Sequence, residues 1–522
     1  MASRRLMAEA GPATGLGRRV SRRQAVNLLG RLGLGVGGSF ALVACGSPGG
    51  VDEVEAPTDR GTETLPTDRQ ASVPTGGLNA KADTPADSEP RAQRDSVEVS
   101  FATASRAGPR GAAMKWGLRR FADHRPDITV KVEPEDGVPT RFVAGTAPHV
   151  AQLQEGAFLS FLVEDRLVEI SSLLRQMHVV KEGYYFVPDT YTWNDLDHSF
   201  PAPRLMQGPQ FGMPFQIEIS GFVANATLAE VAGVSLPDGG NSWTWDSWSD
   251  LDAKMTDPEA GTYGTWARQD YHRQYMPLMY SNGLRKPFDD DLTKTMFDQP
   301  EALEAWEYLI NKVTVHRTSP THDETPAVSG EQSNPFAAGR IGIWPGGRAF
   351  STGYGLGKIK ERFRWTLLPE PVAMRGGAPA HLVTETPNLV STSATRDGLE
   401  EQATALVVYL AGEEFQGRVG IERGHMPVHK AAIGAPDSVA PPPDGMHWLK
   451  AYADRPANRS RFYFGTWWEW WQHDRTLGSR AWRGEQTPAE ALEACQAWGI
   501  KHLAEYQGRG GREPFVREPV YP

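Results

Sequence analysis

A strand, a helix and a second strand follow one another between residues 97 and 133, and this order restricts the fold more than any other feature of the sequence. Val97 to Thr103 (VEVSFAT) is a short run of β-forming residues, and the later string ITVKVE alternates apolar and polar residues. Between them lies a helical stretch whose apolar face consists of Met114, Leu118 and Phe121. Two strands joined by a helix favour a parallel pair. We therefore predict an α/β fold with a mostly parallel sheet.

Three later segments have the pattern of helices. Pro300 to Thr314 carries an apolar stripe that includes Trp306 and Ile310, and residues 400–411 have a similar stripe. Thr487-Pro488-Ala489-Glu490 is a capping box with proline at the first helical position. We expect Asp298 to cap the first of these helices. Cys495 falls on the apolar stripe of the last helix, which predicts a buried and inert thiol.

The composition excludes several classes of protein. The chain of 522 residues is long enough for two large domains, and its formal net charge of −10 argues against general nucleic-acid binding. Two cysteines exclude a disulfide-rich scaffold and a multi-cysteine metal site. The motifs HExxH, GxSxG and the P-loop do not occur, and the 13 histidines have no ligand spacing. We therefore expect a protein without catalytic activity, resident metal or cofactor.

Residues 1–45 have the features of an export signal. Arginines precede a Gly-rich apolar stretch that ends in the string LVAC at Leu42 to Cys45. Ser21-Arg22-Arg23 resembles a twin-arginine motif, although general secretion stays open as the export route. LVAC resembles a bacterial lipobox, and on this interpretation Cys45 is acylated and anchors the protein. An ordinary cleaved signal is the alternative.

Residues 46–95 are predicted to form a disordered tether. The segment contains no aromatic residue and is rich in Pro, Thr, Ser, Asp and Gly, so it cannot bury enough apolar surface to offset its ordering entropy. Around fifty flexible residues have a root-mean-square reach of roughly 40 Å. The prediction is an extracytoplasmic protein that is held at the bacterial cell membrane by its N-terminal lipid.

Several strings of the remaining chain occur in the order and spacing of one protein family. They are RFVAGTAPHVAQLQEG (141–156), LVEISSLL (167–174), FGMPFQIEISGFVANATLAEVAGV (211–234), SWTWDSWSDL (242–251), NPFAAGRIGIWPGG (334–347), GHMPVHKAAI (424–433) and TPAEALEA (487–494). Through them the chain resembles the family 1 extracellular solute-binding proteins over about residues 97–507. These proteins are the capture components of ABC importers, mostly for sugars, and maltodextrin-binding protein is a familiar member.

The resemblance implies a two-lobed α/β fold of the periplasmic-binding-protein type II class. The chain would cross between lobes more than once, and hinge motion would close a cleft around the ligand. Lobe 1 would comprise 96–217 and 381–436, and lobe 2 would comprise 218–380 and 437–510, with 511–522 as a C-terminal tail. The crossings are expected near Phe215 to Ile219 and near His381 to Thr386.

The candidate ligand contacts are aromatic residues, a glycine and planar polar residues beside the expected cleft. Aromatic planes cover the C–H faces of a sugar, and amides, carboxylates and guanidinium groups hydrogen-bond its hydroxyls. The candidates are Ser105, Arg106, Gln154, Glu155, Gln216, Glu218, Trp344, Gly346, Glu385, Asn388, Trp467 and Trp468.

Several of these candidates have an alternative role. Gln154 and Glu155 follow the apparent strand HVAQL, where open α/β sheets bind ligands, but a solvated turn would also suit Glu155. Trp344 could instead be an indole packed at a strand end, and Arg106 could be a surface charge. Neighbouring tryptophans point in different directions, so only one or two of the tail cluster that begins at Trp467 can face a ligand.

The sequence thus predicts a monomeric, membrane-anchored lipoprotein that captures a carbohydrate and passes it to an ABC permease, with no nucleic-acid partner. One alternative keeps the fold but changes the ligand to a phosphate ester, an oligopeptide or a polyamine. A secreted carbohydrate-active enzyme is a further alternative, although it needs a placed pair of carboxylates that the sequence does not identify.

Overall fold

The computed structural model describes most of the chain from Ser96 onwards. The described residues are 96–153, 161–162, 164–184, 209–238, 243–285, 287–289, 293–332, 334–347, 359, 362–455, 459–460 and 467–508. The predicted export signal with Cys45, the tether, Gln154, Glu155 and the C-terminal tail lie outside them. Within these ranges no helix combines the length and the apolar character that crossing a membrane requires.

The described strands form two separate sheets. The strands are β1 (Val97–Ala102), β2 (Ile128–Glu133), β3 (Val150–Gln152), β4 (Gly212–Glu218), β5 (Gly221–Asn225), β6 (Tyr263–Thr265), β7 (Ile341–Gly347), β8 (Trp365–Leu368), β9 (Leu382–Val390) and β10 (Arg459–Ser460). The first sheet has the order β10-β9-β3-β1-β2, and β4 also pairs with β9. The second sheet has the order β6-β7-β5-β8.

Helices lie between most of these strands and after the last of them. They are α1 (Gly108–His124), α2 (Val138–Ala144), α3 (Ser171–Gln176), α4 (Ala226–Val231), α5 (Trp245–Met255), α6 (Met276–Ser281), α7 (Pro300–Thr314), α8 (Thr325–Ser329), α9 (Thr392–Asp397), α10 (Glu400–Ala411), α11 (Glu413–Glu422), α12 (Lys430–Ile433), α13 (Pro436–Val439), α14 (Trp448–Ala453), α15 (Trp467–Trp482) and α16 (Pro488–Gly508). A π-helical turn, Tyr271–Tyr275, leads directly into α6.

The first strand–helix–strand unit folds as its pattern predicts. β1 pairs with β2 in parallel, with Val99 opposite Val130, and β1 also pairs in parallel with β3. The first sheet is mostly parallel as expected, since three of its five described pairings are parallel, but in the second sheet only one of the three described pairings is. β9 runs antiparallel to both β3 and β4, and β5 runs antiparallel to both of its neighbours. The reason is that the chain returns to each sheet from the other one, which a local pattern does not reveal.

The three predicted helices are confirmed as α7, α10 and α16. Thr487 and Glu490 exchange the two hydrogen bonds of the capping box, with N–O distances of 2.9 and 3.2 Å, and Cys495 is buried. The expected cap at Asp298 is wrong. The helix starts at Pro300 as predicted, so Gln299, which directly precedes it, occupies the N-cap position of α7, and its side chain makes no capping hydrogen bond.

Two connections carry the chain between the sheets. The first is residues 219–220, between the end of β4 and the start of β5, and the second is residues 369–381, between β8 and β9. The two ends of the second connection are held together, because Glu370 near its start contacts His381 at its end. Glu370 also contacts Arg455. All three side chains are at least three-quarters buried. Both connections therefore lie next to the segments in which crossings between the lobes are expected.

Candidate functional site

The strand directions bring the carboxyl ends of several strands together at the crossings. In the first sheet β1, β3 and β4 point the same way, since β3 and β4 are both antiparallel to β9. In the second sheet β6, β7 and β8 likewise share one direction. The short first crossing joins the end of β4 to residue Gly221, which pairs with Gly347 at the end of β7. The two carboxyl edges therefore meet there, the position at which open α/β sheets bind ligands.

A row of polar side chains lies at the carboxyl edge of the first sheet. Gln152, the last residue of β3, is opposite Asn388 of β9, so the two side chains share one face. The hydroxyl group of Thr103 contacts the Oε1 atom of Gln152, and the Ser105 hydroxyl lies 3.4 Å from the same oxygen. The backbone N–H of Ser105 donates to the Thr103 hydroxyl at 2.9 Å. This network fixes the loop that follows β1.

Two amide side chains of this row have unsatisfied hydrogen-bonding atoms. Asn388 is 0% exposed, and neither its Oδ1 nor its Nδ2 atom has a partner among the described residues. Gln216 of β4, which is opposite Thr386, is 7% exposed, and its Oε1 atom also has no partner in the described part of the chain. Buried polar atoms without partners are uncommon and costly, so their presence at this edge calls for a functional explanation.

Glu218, the last residue of β4, lies among charges from both sides of the crossing. It is half-buried, and burial raises the pKa of its carboxyl group. Arg273 and Arg110 oppose this pKa rise, whereas Asp270 adds to it. Arg110 belongs to α1 beside the first sheet, and Arg273 and Asp270 belong to the segment after β6 of the second sheet. The arginines beside the two sheets thus offset only part of the cost of burying a carboxylate at this point.

The second sheet contributes an arginine cluster that Asp270 organises. The buried carboxylate of Asp270 accepts hydrogen bonds from Arg268 at 2.7 Å and from Arg273 at 3.1 Å. The guanidinium group of Arg268 lies 4.8 Å from the ring centre of Trp266, which is a cation–π geometry. Gln274 supports this segment, because its Nε2 atom donates to the carbonyls of Trp266 and Pro345 at 3.0 and 2.8 Å. The cluster is therefore held rigidly at the ends of β6 and β7.

Trp344 and Gly346 occupy the end of β7 beside this cluster. Trp344 is 7% exposed and packs against Trp266 and Phe336, with ring-centre distances of 5.1 and 5.9 Å. Gly346 has a φ of +86°, and a Cβ atom there would lie 2.7 Å from the Cβ atom of Arg273. The missing side chain of Gly346 thus accommodates Arg273, and Trp344 forms part of an aromatic wall behind it.

For several of the remaining predicted contact residues the structure describes the backbone but not the side chain. Ser105 is buried at the first-sheet edge and Arg106 beside it is exposed. Glu385 pairs through its backbone with Ile217 at the same edge, and its side chain is not among those described. Trp467 and Trp468 begin α15, and their side chains are likewise outside the description. The structure therefore brings Ser105, Gln216, Glu218, Trp344, Gly346 and Asn388 to the meeting edges.

Sequence reasoning missed the charged residues at these edges. They are Arg110, Arg268, Asp270 and Arg273. A signal was present, because the string WARQDYHRQY directly follows the short strand β6, and the end of a parallel strand is the same location that singled out Gln154. Among the described residues there is no group of three or more His, Cys, Asp and Glu side chains that could hold a metal ion.

Comparison with known proteins gives a family match over the body of the chain. The family model described as "Bacterial extracellular solute-binding protein" matches residues 105–417. No curated protein matches the sequence. The matched range contains both crossings and, apart from Thr103, the polar and charged residues described at the two carboxyl edges.

Solved structures with the same fold cover nearly four-fifths of the chain. An ABC substrate-binding protein of Listeria monocytogenes in complex with cycloalternan is 18% identical, with a TM-score of 0.62 over 79% of this chain and 100% of its own. The sugar-binding protein MalE of Xanthomonas citri is 18% identical, with a TM-score of 0.63 over 79% and 99%. UgpB of Mycobacterium tuberculosis in complex with glycerophosphocholine is 17% identical, with a TM-score of 0.60 over 79% and 99%. At these identities the likeness establishes the two-lobed fold.

Proposed function

The chain belongs to the family of bacterial extracellular solute-binding proteins, and from this premise we propose that it captures a carbohydrate and delivers it to an ABC import permease. Family members bind and hand over their ligand without chemical change. Binding free energy closes the lobes, and the closed form docks on the permease. The ligand is proposed to be a mono- or oligosaccharide held where the carboxyl edges of the two sheets meet.

The observation that carries the proposal is the pair of unsatisfied amides at that edge. A sugar hydroxyl is both a donor and an acceptor, so one hydroxyl can satisfy the acceptor of Gln216, and others can satisfy both groups of Asn388. The Oε1 atom of Gln216 and both polar atoms of Asn388 are inaccessible in the present arrangement, so contact requires the edges to separate and reclose on the ligand. The charged residues Glu218 and Arg268 offer further planar hydrogen-bonding groups beside them.

We propose twelve residues as ligand contacts, and the position of most of them near the crossings or in the resembling strings supports this proposal. They are Ser105, Arg106, Gln154, Glu155, Gln216, Glu218, Trp344, Gly346, Glu385, Asn388, Trp467 and Trp468. The lobe limits are proposed as 96–217 with 381–436 and 218–380 with 437–510. The membrane anchor is proposed to be a lipid on Cys45, which would keep a monomeric protein near its permease on the tether of residues 46–95.

A thermal-shift screen of the full chain against a sugar library tests this proposal. A sugar present at about 100 times its dissociation constant should stabilise the folded protein by roughly 2.7 kcal/mol. Gln216→Leu should remove most of the shift, because it deletes a hydrogen-bonding group at the edge. The matched control is Gln176→Leu at an exposed position of α3, which should keep the shift. Absence of a shift with every sugar would contradict the carbohydrate assignment.

A phosphate ester is the second candidate ligand. Arg110, Arg268 and Arg273 gather near the crossing, and guanidinium groups bind phosphate oxygens in a bidentate manner. The structural neighbour from Mycobacterium tuberculosis was solved with glycerophosphocholine. The same screen should therefore contain glycerophosphodiesters and sugar phosphates. A shift with these compounds alone would replace the sugar by a phosphate ester and keep the transport role.

A further inference from the structure

Arg268 is the most exposed of the three charged residues that follow β6. Its side chain is 26% exposed, against 12% for Arg273 and 7% for Asp270. Its backbone is held in place, because its N–H donates to the Oε1 atom of Gln274 at 2.8 Å and its carbonyl oxygen accepts from the N–H of Asp270 at 2.7 Å. Solvent therefore reaches a guanidinium group whose position is fixed by its own segment.

The guanidinium group of Arg268 has hydrogen-bond donors that the protein does not use. Its Nη2 atom donates to the Oδ2 atom of Asp270 at 2.7 Å, and no described residue accepts a hydrogen bond from its Nε or Nη1 atom. Within the described part of the chain Asp270 is the only acidic side chain that Arg268 contacts, and the same Oδ2 atom also accepts from Arg273. Because one carboxylate is shared between two guanidinium groups, the charge of Arg268 is only partly balanced.

Arg268 also limits what the aromatic residues at this edge can bind. Its guanidinium group lies 4.8 Å from the ring centre of Trp266, which is 6% exposed, so a sugar cannot stack on that face while Arg268 covers it. Both residues follow β6, so moving the two sheets apart does not separate them. The neighbouring Trp344 is 7% exposed and packs against Trp266 and Phe336. The group that this part of the edge offers to a ligand is therefore a cation and not an aromatic ring.

We infer that Arg268 is a specificity-determining residue that selects a ligand with an anionic oxygen group, a carboxylate or a phosphate. Its Nε and Nη1 atoms donate charge-assisted hydrogen bonds to such oxygens, and these bonds are roughly twice as strong as those between neutral groups. Asp270 and Trp266 hold the guanidinium group in place for this contact. The inference rests on the proposed capture role and narrows its ligand to a carbohydrate that carries a negative charge.

Sugars that differ only at carbon 6 test this inference. Glucose, glucuronate and glucose 6-phosphate carry a hydroxymethyl group, a carboxylate and a phosphate ester there, and the matching galactose series changes the orientation of one hydroxyl group. Thermal shifts of the full chain are measured with each compound and with inorganic phosphate at constant ionic strength. We expect one charged form to bind at least about tenfold more tightly than the neutral sugar, because the neutral sugar lacks the charge-assisted hydrogen bonds. The form that binds identifies the group as carboxylate or phosphate.

Arg268→Gln should abolish this preference for a charged ligand. The matched control is Arg364→Gln, which removes an exposed arginine that pairs with Glu230 at 2.6 Å, and it should keep the preference. Arg268→Lys retains a cation beside Asp270, so it should keep part of the preference, and it serves as the test if Arg268→Gln does not fold.

The outcomes separate this inference from the proposed function. Equal binding of neutral and charged sugars, or a preference that Arg268→Gln leaves unchanged, would overturn the inference and leave capture of a neutral sugar standing. Binding of inorganic phosphate alone, with its loss in Arg268→Gln, would support the anion contact and contradict the carbohydrate assignment. Absence of a shift with every compound would contradict both.

Discussion

Asn388 shows at the scale of one residue how a binding site can reduce stability. Its side chain is fully buried in the first sheet, yet neither polar atom has a partner among the described residues. Burying an unpaired polar group costs about 1–3 kcal/mol in proteins. A residue kept at such a cost is typical of a functional position, since selection for stability alone would favour an apolar side chain of similar shape.

Replacing Asn388 by leucine should therefore separate stability from binding. We expect Asn388→Leu to raise the free energy of unfolding by about 1–3 kcal/mol, because it removes the unsatisfied atoms. The same variant should lose ligand affinity by at least about tenfold, which a single lost hydrogen bond accounts for. Urea unfolding and ligand titration give the two values.

The natural comparison for this variant is Asn225, which caps α4 by accepting a hydrogen bond from the N–H of Leu228 at 2.9 Å. Asn225→Leu should reduce the free energy of unfolding by roughly 1 kcal/mol, because the cap is lost. If Asn388→Leu is destabilised to the same extent, then Asn388 is satisfied in the folded protein and the functional explanation fails.

At the scale of elements, α5 and α7 are joined by a buried ion pair. The Nζ atom of Lys312 lies 2.6 Å from the Asp252 carboxylate, with side-chain exposures of 2% and 0%. Lys312 also lies 4.3 Å from the ring centres of Trp248 and Tyr308. Burial raises the pKa of Asp252 to about 6, although Lys312 opposes this shift. The pair thus depends on both partners, and neither charge is tolerated alone in this aromatic environment.

Removing one partner should be far more harmful than removing both. Lys312→Met leaves the Asp252 carboxylate buried without a cation, so we expect a loss of about 3–5 kcal/mol in the free energy of unfolding at pH 7. The double variant Lys312→Met/Asp252→Leu should recover most of this loss. Lys294→Met is the control, because its partner Asp298 lies 3.4 Å away at the surface and such pairs contribute about 1 kcal/mol or less. Similar losses for the single and double variants would contradict this account.

At the scale of the whole molecule, local sequence patterns predict individual helices and strands. The two-lobed architecture is predicted instead by the order in which the strings that resemble the family follow one another. The capping box at Thr487 and the apolar stripe of α7 depend only on neighbours in the sequence, so they were predictable. The opposition of Gln152 and Asn388 depends on β9 returning from the second sheet, which no local pattern encodes. The charge cluster around Asp270 directly follows β6, so its position was predictable, but its electrostatic relation to Glu218 exists only in the folded chain.

The acid stability of the whole fold provides the last prediction, and it depends on His425. This side chain is 3% exposed, and burial together with the nearby charge of Arg110 lowers its pKa from 6.5 to about 3. Between these two values the unfolded chain binds a proton that the folded protein does not bind. The free energy of unfolding should therefore fall by up to about 1.4 kcal/mol per unit as the pH decreases through this interval.

His425→Gln should remove this contribution, so the free energy of unfolding should depend less steeply on pH between about 6 and 4. Urea unfolding at a series of pH values measures the slope. His178→Gln, at an exposed position after α3, should leave the slope of the wild type unchanged. Asp252, whose pKa burial raises to about 6, also titrates in this interval, but it contributes equally to the wild type and to the variant. The difference between the two slopes therefore isolates the histidine. Equal slopes for the wild type and His425→Gln there would mean that the imidazole accepts its proton without unfolding, through a local opening of the crossing beside Arg110.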